Sequence, residues 1–192
     1  DNMMESPDYR DPVHGFPVFS LYGEVRRPRD EWMETFDVVL IDLQDLGCRI
    51  YTYVTTLLYV LEAAARHGKT VWVLDRPNPA GRPVEGLTLR PGWPLGERSW
   101  INPSPNAPNL SMARAYAGTV MLEGTTLSEG RGTTRPLELF GAPDIDARAV
   151  IAEMQAFAPQ WLTGCRLRDC WFEPTFHKHV GRLCSGVQIH VD

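Results

Sequence analysis

The sequence has none of the short signatures that most directly name a chemistry. It contains no G-x-G-x-x-G, no G-x-x-x-x-G-K-S/T, no H-E-x-x-H and no G-x-S-x-G, which argues against dinucleotide binding, P-loop nucleotide hydrolysis, zinc proteolysis and the α/β-hydrolase mechanism. Its apolar stretches, such as Val38 to Ile41 and Val71 to Leu74, fall far short of the roughly 20 residues that cross a bilayer. Basic residues are scattered over a chain of net charge −5, so the electrostatic footprint of a nucleic-acid binder is missing. The four cysteines, Cys48, Cys165, Cys170 and Cys184, include no C-x-x-C pair. They read as mostly buried free thiols, with a Cys165–Cys170 pairing open only if that segment bends.

What is present is an ordinary folded chain of 192 residues, 43% apolar and 22% charged. Glycine and proline, 16 each, exceed their usual shares of roughly 7% and 5%, which predicts many turns and functional loops. Phe16 to Gly23 reads as a short strand, and Pro28, Asp30 and Glu31 open a short helix through Met33. Phe36 to Asp42 is almost continuously apolar, as expected of a strand buried on both faces. From Thr52 to His67, apolar residues recur at helical spacing, with Gly68 where a C-cap glycine belongs. Val71 to Asp75 then supplies a second buried strand, completing a βαβ unit.

Both of these strands end in an acid, Asp42 and Asp75, and run into polar loops. Ligands of open α/β sheets bind beyond the carboxyl ends of strands, so these loops are expected to flank one crevice. Helix-capping is the plainer reading of either Asp. Residues 90–108 read as a linker, Ser111 to Ala117 as a helical turn or two, and Thr119 to Glu123 as a third strand ending in an acid. A helix over Ala147 to Phe157 is expected behind an Asp146 N-cap, followed by strands over Cys165 to Phe172 and Val187 to Val191. The fold class expected is α/β with a mixed sheet.

The loop from Glu123 to Pro136 is the densest in chemistry, with two carboxylates, two arginines, four threonines and three glycines. Gly130 and Gly132 permit positive φ, and the amides from Arg131 to Thr134 would form an anion nest. Glu129 is a candidate acid or base; a solvated or Arg-paired loop carboxylate is the alternative. Asp42, Asp45, Asp75, Glu123 and Glu129 all lie at strand ends or in the loops after them, and paired carboxylates are the working groups of glycoside hydrolysis. Near Asp45, Arg49 offers an anion contact and Tyr51 and Tyr53 offer stacking. On an extended strand His177 and His179 would point the same way and join His190 at a metal. Without acidic ligands at suitable spacing, a surface or substrate-lining role is preferred, and no metal or cofactor is assigned.

Phe36-Asp-Val-Val-Leu-Ile-Asp-Leu-Gln-Asp-Leu-Gly-Cys-Arg-Ile-Tyr-Thr-Tyr, Val73-Leu-Asp-Arg-Pro-Asn-Pro, Pro103-Ser-Pro-Asn-Ala-Pro, Leu122-Glu-Gly-Thr-Thr-Leu-Ser-Glu-Gly-Arg-Gly-Thr-Thr-Arg-Pro and Gly186-Val-Gln-Ile-His, in this order, resemble the exo-β-N-acetylmuramidase family. The resemblance implies a Rossmann-like lobe with a mostly parallel sheet, a smaller α/β lobe with a mixed sheet, and an active-site cleft between them. It also implies release of terminal N-acetylmuramic acid from the non-reducing ends of peptidoglycan fragments, and a periplasmic or extracellular location. A non-catalytic module that binds wall sugars is the rival expectation.

The same resemblance assigns roles. Glu129 and Asp45 are the catalytic candidates, and Arg49, Arg76 and Arg131 are the candidates for the lactyl carboxylate. Asn78 and Asn106 would bond ring hydroxyls or the N-acetyl group, and Asp42, Gln44, Tyr51, Tyr53, Glu123 and Thr133 complete the substrate set. Residues 1–92 correspond to part of the Rossmann-like lobe and residues 93–192 to the remaining strands and the smaller lobe. Two departures stand out. The family's Pro-Glu-His-Gly loop, whose glutamate is a leading catalytic candidate, is echoed only superficially by Pro12-Val13-His14-Gly15. Gly92-Trp93-Pro94 also joins two motifs that a longer stretch separates in the family. The chain is therefore expected to lack residues before Asp1 and near Trp93.

Overall fold

The computed structural model describes residues 5–76, 78–79 and 99–191. Residues 90–98 of the expected linker over 90–108 lie outside the described residues, as do the domain boundary at 92/93 and the Gly92 to Pro94 junction. The chain divides into two compact units, Asp1–Asp45 with Arg49–Arg76, and Leu46–Cys48 with Pro77–Asp192.

In the first unit, β1 (Tyr9–Arg10) and β2 (Pro17–Val18) pair antiparallel, so the strand expected over Phe16 to Gly23 shrinks to two residues. The one-turn helix α1 (Asp30–Met33) leads to β3 (Val38–Ile41), then α2 (Tyr53–His67) and β4 (Thr70–Val73). Gly68 ends α2 at φ 63°. The two strands pair in parallel, Val38 opposite Thr70 through Ile41 opposite Val73. This is the expected βαβ unit. Its core is Met33, Ala63 and Ala64, with Phe36 and Val71 packed against them. Burial of both strands on two faces is not found: Val38, Leu40, Trp72 and Val73 are 39–59% exposed. A two-stranded sheet with one helix layer has only one covered face.

The second unit opens with α3 (Leu110–Thr119), longer than the turn or two expected, because Asn109 caps it by accepting from the Met112 amide at 2.8 Å. The chain then stays wound as a 3₁₀ turn, Val120–Gly124, where a strand was expected. Nothing in Val120-Met121-Leu122 breaks the helix before it, and burial of Val120 together with packing of Leu122 against Phe140, Ala147 and Val187 is satisfied by a coil. A three-stranded antiparallel sheet follows in the order β5 (Leu139–Ala142), β7 (Cys184–Val191), β6 (Cys165–Phe172). β5 carries no strong strand signal of its own, and its pairing with β7 makes it a strand.

Helix α4 (Ala147–Phe157) covers one sheet face, and Asp146 caps it through the amides of Arg148 and Ala149. Phe140, Ala147 and Val187 form the core beneath it; Leu139, Phe172 and Cys184 pack on the opposite face with Cys170. β6 runs unbroken, so Cys165 and Cys170, five apart, lie on opposite faces and cannot pair. All the cysteines are free.

Candidate functional site

The glycine-rich loop of the second unit is seated at three points. Ser128 makes an isolated antiparallel bridge to Gly141 of β5, with both backbone bonds at 2.8–2.9 Å. The Glu129 carbonyl accepts from the Leu137 amide at 2.7 Å, closing the loop on itself. The Gly132 carbonyl accepts from both the amide and the hydroxyl of Thr175, at 3.0 and 2.8 Å. Gly130 and Gly132 adopt φ 76° and 81°. A Cβ on Gly132 would stand 2.7 Å from the amides of Thr175 and Phe176, so this contact between two loops requires glycine. The contact brings His177 and Lys178 against Glu129.

Glu129 is fully buried. Its Oε2 accepts from Lys178 Nζ at 2.9 Å, while Oε1 faces Arg131 Nε at 3.2 Å and His177 Nδ1 at 3.4 Å. The Arg131 approach is a charge contact without hydrogen-bond alignment, leaving both Oε1 and Nε without an aligned partner. Arg131, itself buried, also pairs with Glu123. The alternative reading of Glu129 as an Arg-paired carboxylate thus describes its contacts, and Lys178 is the partner that sequence reasoning missed. Lys178 Nζ further donates to the carbonyls of Leu122, Glu123 and Leu127 at 3.0–3.1 Å. One ammonium therefore ties the 3₁₀ turn to the loop. Tyr116 of α3 is close by; burial pushes its phenol up to about 12, with the Glu123 and Cys48 charges adding and Arg131 opposing.

His177 and His179 are not on an extended strand. Both take left-handed φ values, 69° and 57°, in the turn between β6 and β7, while His190 sits on β7. The extended-strand condition under which they would align with His190 is therefore not met, and no metal-competent cluster occurs among the described residues. The His179 Nε2 lies 2.8 Å from the Thr126 carbonyl and pins the far side of the loop. His177 keeps 42% of its side chain exposed.

The expected anion nest is partly used internally. The Thr133 amide and hydroxyl both donate to the Gly130 carbonyl, at 3.1 and 2.6 Å, and the Arg135 amide donates to the Thr133 hydroxyl. Glu138 is a second buried carboxylate, held by Asn109 Nδ2 at 2.8 Å and Arg135 at 3.1 Å. Asn106 is buried just before α3.

The remaining candidates belong to the first unit or its edges. The parallel pairing continues with the Leu74 amide on the Ile41 carbonyl at 2.9 Å, placing the loops after both strands at one edge, and Arg76 there pairs with Asp42. Gln44 is buried and donates to the Asp45 carbonyl at 2.9 Å; Asp45 is half-buried. Arg49 is exposed. The Tyr51 and Tyr53 rings touch at 4.6 Å between centroids, Tyr53 opening α2 rather than continuing an extended segment. Asn78 is half-buried.

Residues 1–96 match "Exo-beta-N-acetylmuramidase NamZ, N-terminal" and residues 114–192 match "Exo-beta-N-acetylmuramidase NamZ, C-terminal". The peptidoglycan β-N-acetylmuramidase NamZ of Bacillus subtilis is 35% identical over a match of 236 residues, covering 97% of this chain and 56% of that protein. That match is longer than the chain, so the relative carries extra residues inside it. A crystal structure of a DUF1343 family protein from Bacteroides fragilis superposes with a TM-score of 0.77 at 27% identity, covering 95% of this chain and 60% of that one. A second from the same organism, at 23% identity and TM-score 0.66, has the same fold over 93% and 59%. The chain thus spans between half and two thirds of the relatives it matches. With the family's two parts following one another in chain order, the second containing the Glu129 loop, the chain belongs to the exo-β-N-acetylmuramidase NamZ family.

Proposed function

We propose that this protein is a glycoside hydrolase that removes terminal β-linked N-acetylmuramic acid from the non-reducing end of peptidoglycan fragments. The observation that carries this reading is the match to both parts of the family. The Glu129, Arg131, Glu123 and Lys178 cluster supports it as a preorganised acid–base centre on the most chemistry-rich loop. The finer fold expectation belongs to the same proposal: a Rossmann-like lobe, supported by the parallel βαβ unit, a smaller lobe and a cleft.

Within it, Glu129 provides the buried carboxylate of the centre and Asp45 the second carboxylate. Arg131 and Arg76 already face acidic partners, which leaves exposed Arg49 as the candidate to fork onto the lactyl carboxylate. Asn78, Asn106, Gln44, Thr133 and the Tyr51–Tyr53 pair are the polar and stacking contacts for the sugar. The periplasm or cell exterior is the proposed location, where such fragments are met, and no described helix is long and apolar enough to cross a membrane.

The rival reading, a wall-sugar binding module, is favoured by one observation, the complete burial of Glu129. End-group analysis separates the two. Incubation with the N-acetylmuramyl-N-acetylglucosamine disaccharide should yield free N-acetylmuramic acid, while an N-acetylglucosamine-terminated fragment stays intact. Binding of either fragment without release of sugar supports the module.

A further inference from the structure

Glu129 has no exposed surface, so it cannot itself touch a glycosidic oxygen. The most exposed group of this cluster is His177. Its Nδ1 lies 3.4 Å from Glu129 Oε1, its side chain is 42% exposed, and Nε2 has no partner among the described residues. A carboxylate behind one ring nitrogen and solvent before the other is the arrangement that orients an imidazole for proton transfer. Such contacts are often long without substrate and shorten when it binds.

Two further features fit. His177 holds a left-handed backbone at φ 69°, a conformation that costs energy for a non-glycine residue and concentrates at working sites. The carboxylate behind it is fixed from its other side by Lys178, which also grips three carbonyls. Glu129 faces the imidazole and is itself met by Arg131 from the glycine-rich loop and by Lys178, with Glu123 of the 3₁₀ turn paired to Arg131. Two acids face two cations, so the pocket is close to charge-balanced without the histidine.

We propose that His177 is the proton donor to the leaving group and that Glu129 is its positioning residue. This rests on the glycosidase reading above. As the bond from sugar C1 to the glycosidic oxygen breaks, its electron pair leaves with the oxygen, which takes the proton from His177 Nε2. Water then supplies the hydroxyl that bonds to C1, and its released proton restores His177.

The test compares two leaving groups with the intact protein: the sugar hydroxyl of the N-acetylmuramyl-N-acetylglucosamine disaccharide, which needs protonation, and the 2,4-dinitrophenolate of the corresponding aryl β-N-acetylmuramide, which does not. Asparagine tolerates left-handed φ, so His177→Asn keeps the turn. Its kcat on the disaccharide should fall at least about 100-fold, and on the dinitrophenyl glycoside less than about 10-fold, with KM little changed. Glu129→Gln should show the same selectivity for the poor leaving group. Equal losses on both substrates, or a disaccharide rate within about threefold of wild type, overturn the role of His177 while leaving the glycosidase reading intact. No turnover of either substrate by the wild-type protein overturns both.

Discussion

Asp42 and Glu129 are both acids in loops supplied with arginine, yet the two units hold them in opposite ways. Asp42 stands at the end of β3 with 63% of its side chain exposed, and among the described residues its ion-pair partner is Arg76. Glu129 is buried and faces a lysine, an arginine and an imidazole. A surface pair is screened by water and free to part, so it contributes little. A buried network cannot release one member without leaving another charge uncompensated, so it fixes geometry. The lesson is that acidic residues paired with arginine divide into an adjustable pair with an exposed carboxylate and a rigid internal frame according to burial.

The contrast breaks most visibly at Lys178. Lys178→Met should lower unfolding stability by about 3–5 kcal/mol, because Glu129 loses its closest cation in a buried site; urea titration reads this as a lower midpoint. Next in size is the glycine seat. Gly132→Ala forces a Cβ against the Thr175 and Phe176 amides at φ 81°, for a loss of about 1–3 kcal/mol by the same titration. Asp42→Asn, by contrast, should cost less than about 1 kcal/mol, and a larger value would erase the distinction between the two acids.

The smallest effect concerns the pin between α1 and α2. His67 bonds Asp30 at 2.9 Å and Glu34 at 3.0 Å, which raises its pKa. Its contribution is complete below the unfolded value, roughly 6.5, and disappears as pH rises through the higher folded value. The stability gap between wild type and His67→Gln should therefore be largest in mildly acidic solution and shrink toward alkaline pH, measured by thermal unfolding. Both acids are more than two-thirds exposed, so salt should diminish the gap.

Where signals were local, the sequence was readable. The Thr52 to His67 periodicity with Gly68, and Asp146 ahead of Ala147, mark α2 and α4 nearly to the residue. The 3₁₀ turn after α3 was not legible, because an apolar run of that length suits strand and coil equally and burial decides. β5 owes its existence to β7, more than forty residues later. Glu129, Glu123 and Arg131 were found from the density of charge in one loop. Lys178 was hidden between two histidines that attracted a metal reading, and its partner lies 49 residues away. No periodicity encodes such a contact.

The most direct measurement is release of free N-acetylmuramic acid from the N-acetylmuramyl-N-acetylglucosamine disaccharide by the intact protein and by Glu129→Gln, with an N-acetylglucosamine-terminated fragment as comparator. Wild-type turnover of the disaccharide alone, abolished by Glu129→Gln while disaccharide binding persists, is the expected result. Disaccharide binding with no turnover by the wild type, or unchanged turnover by Glu129→Gln, would contradict a hydrolase built around this buried glutamate.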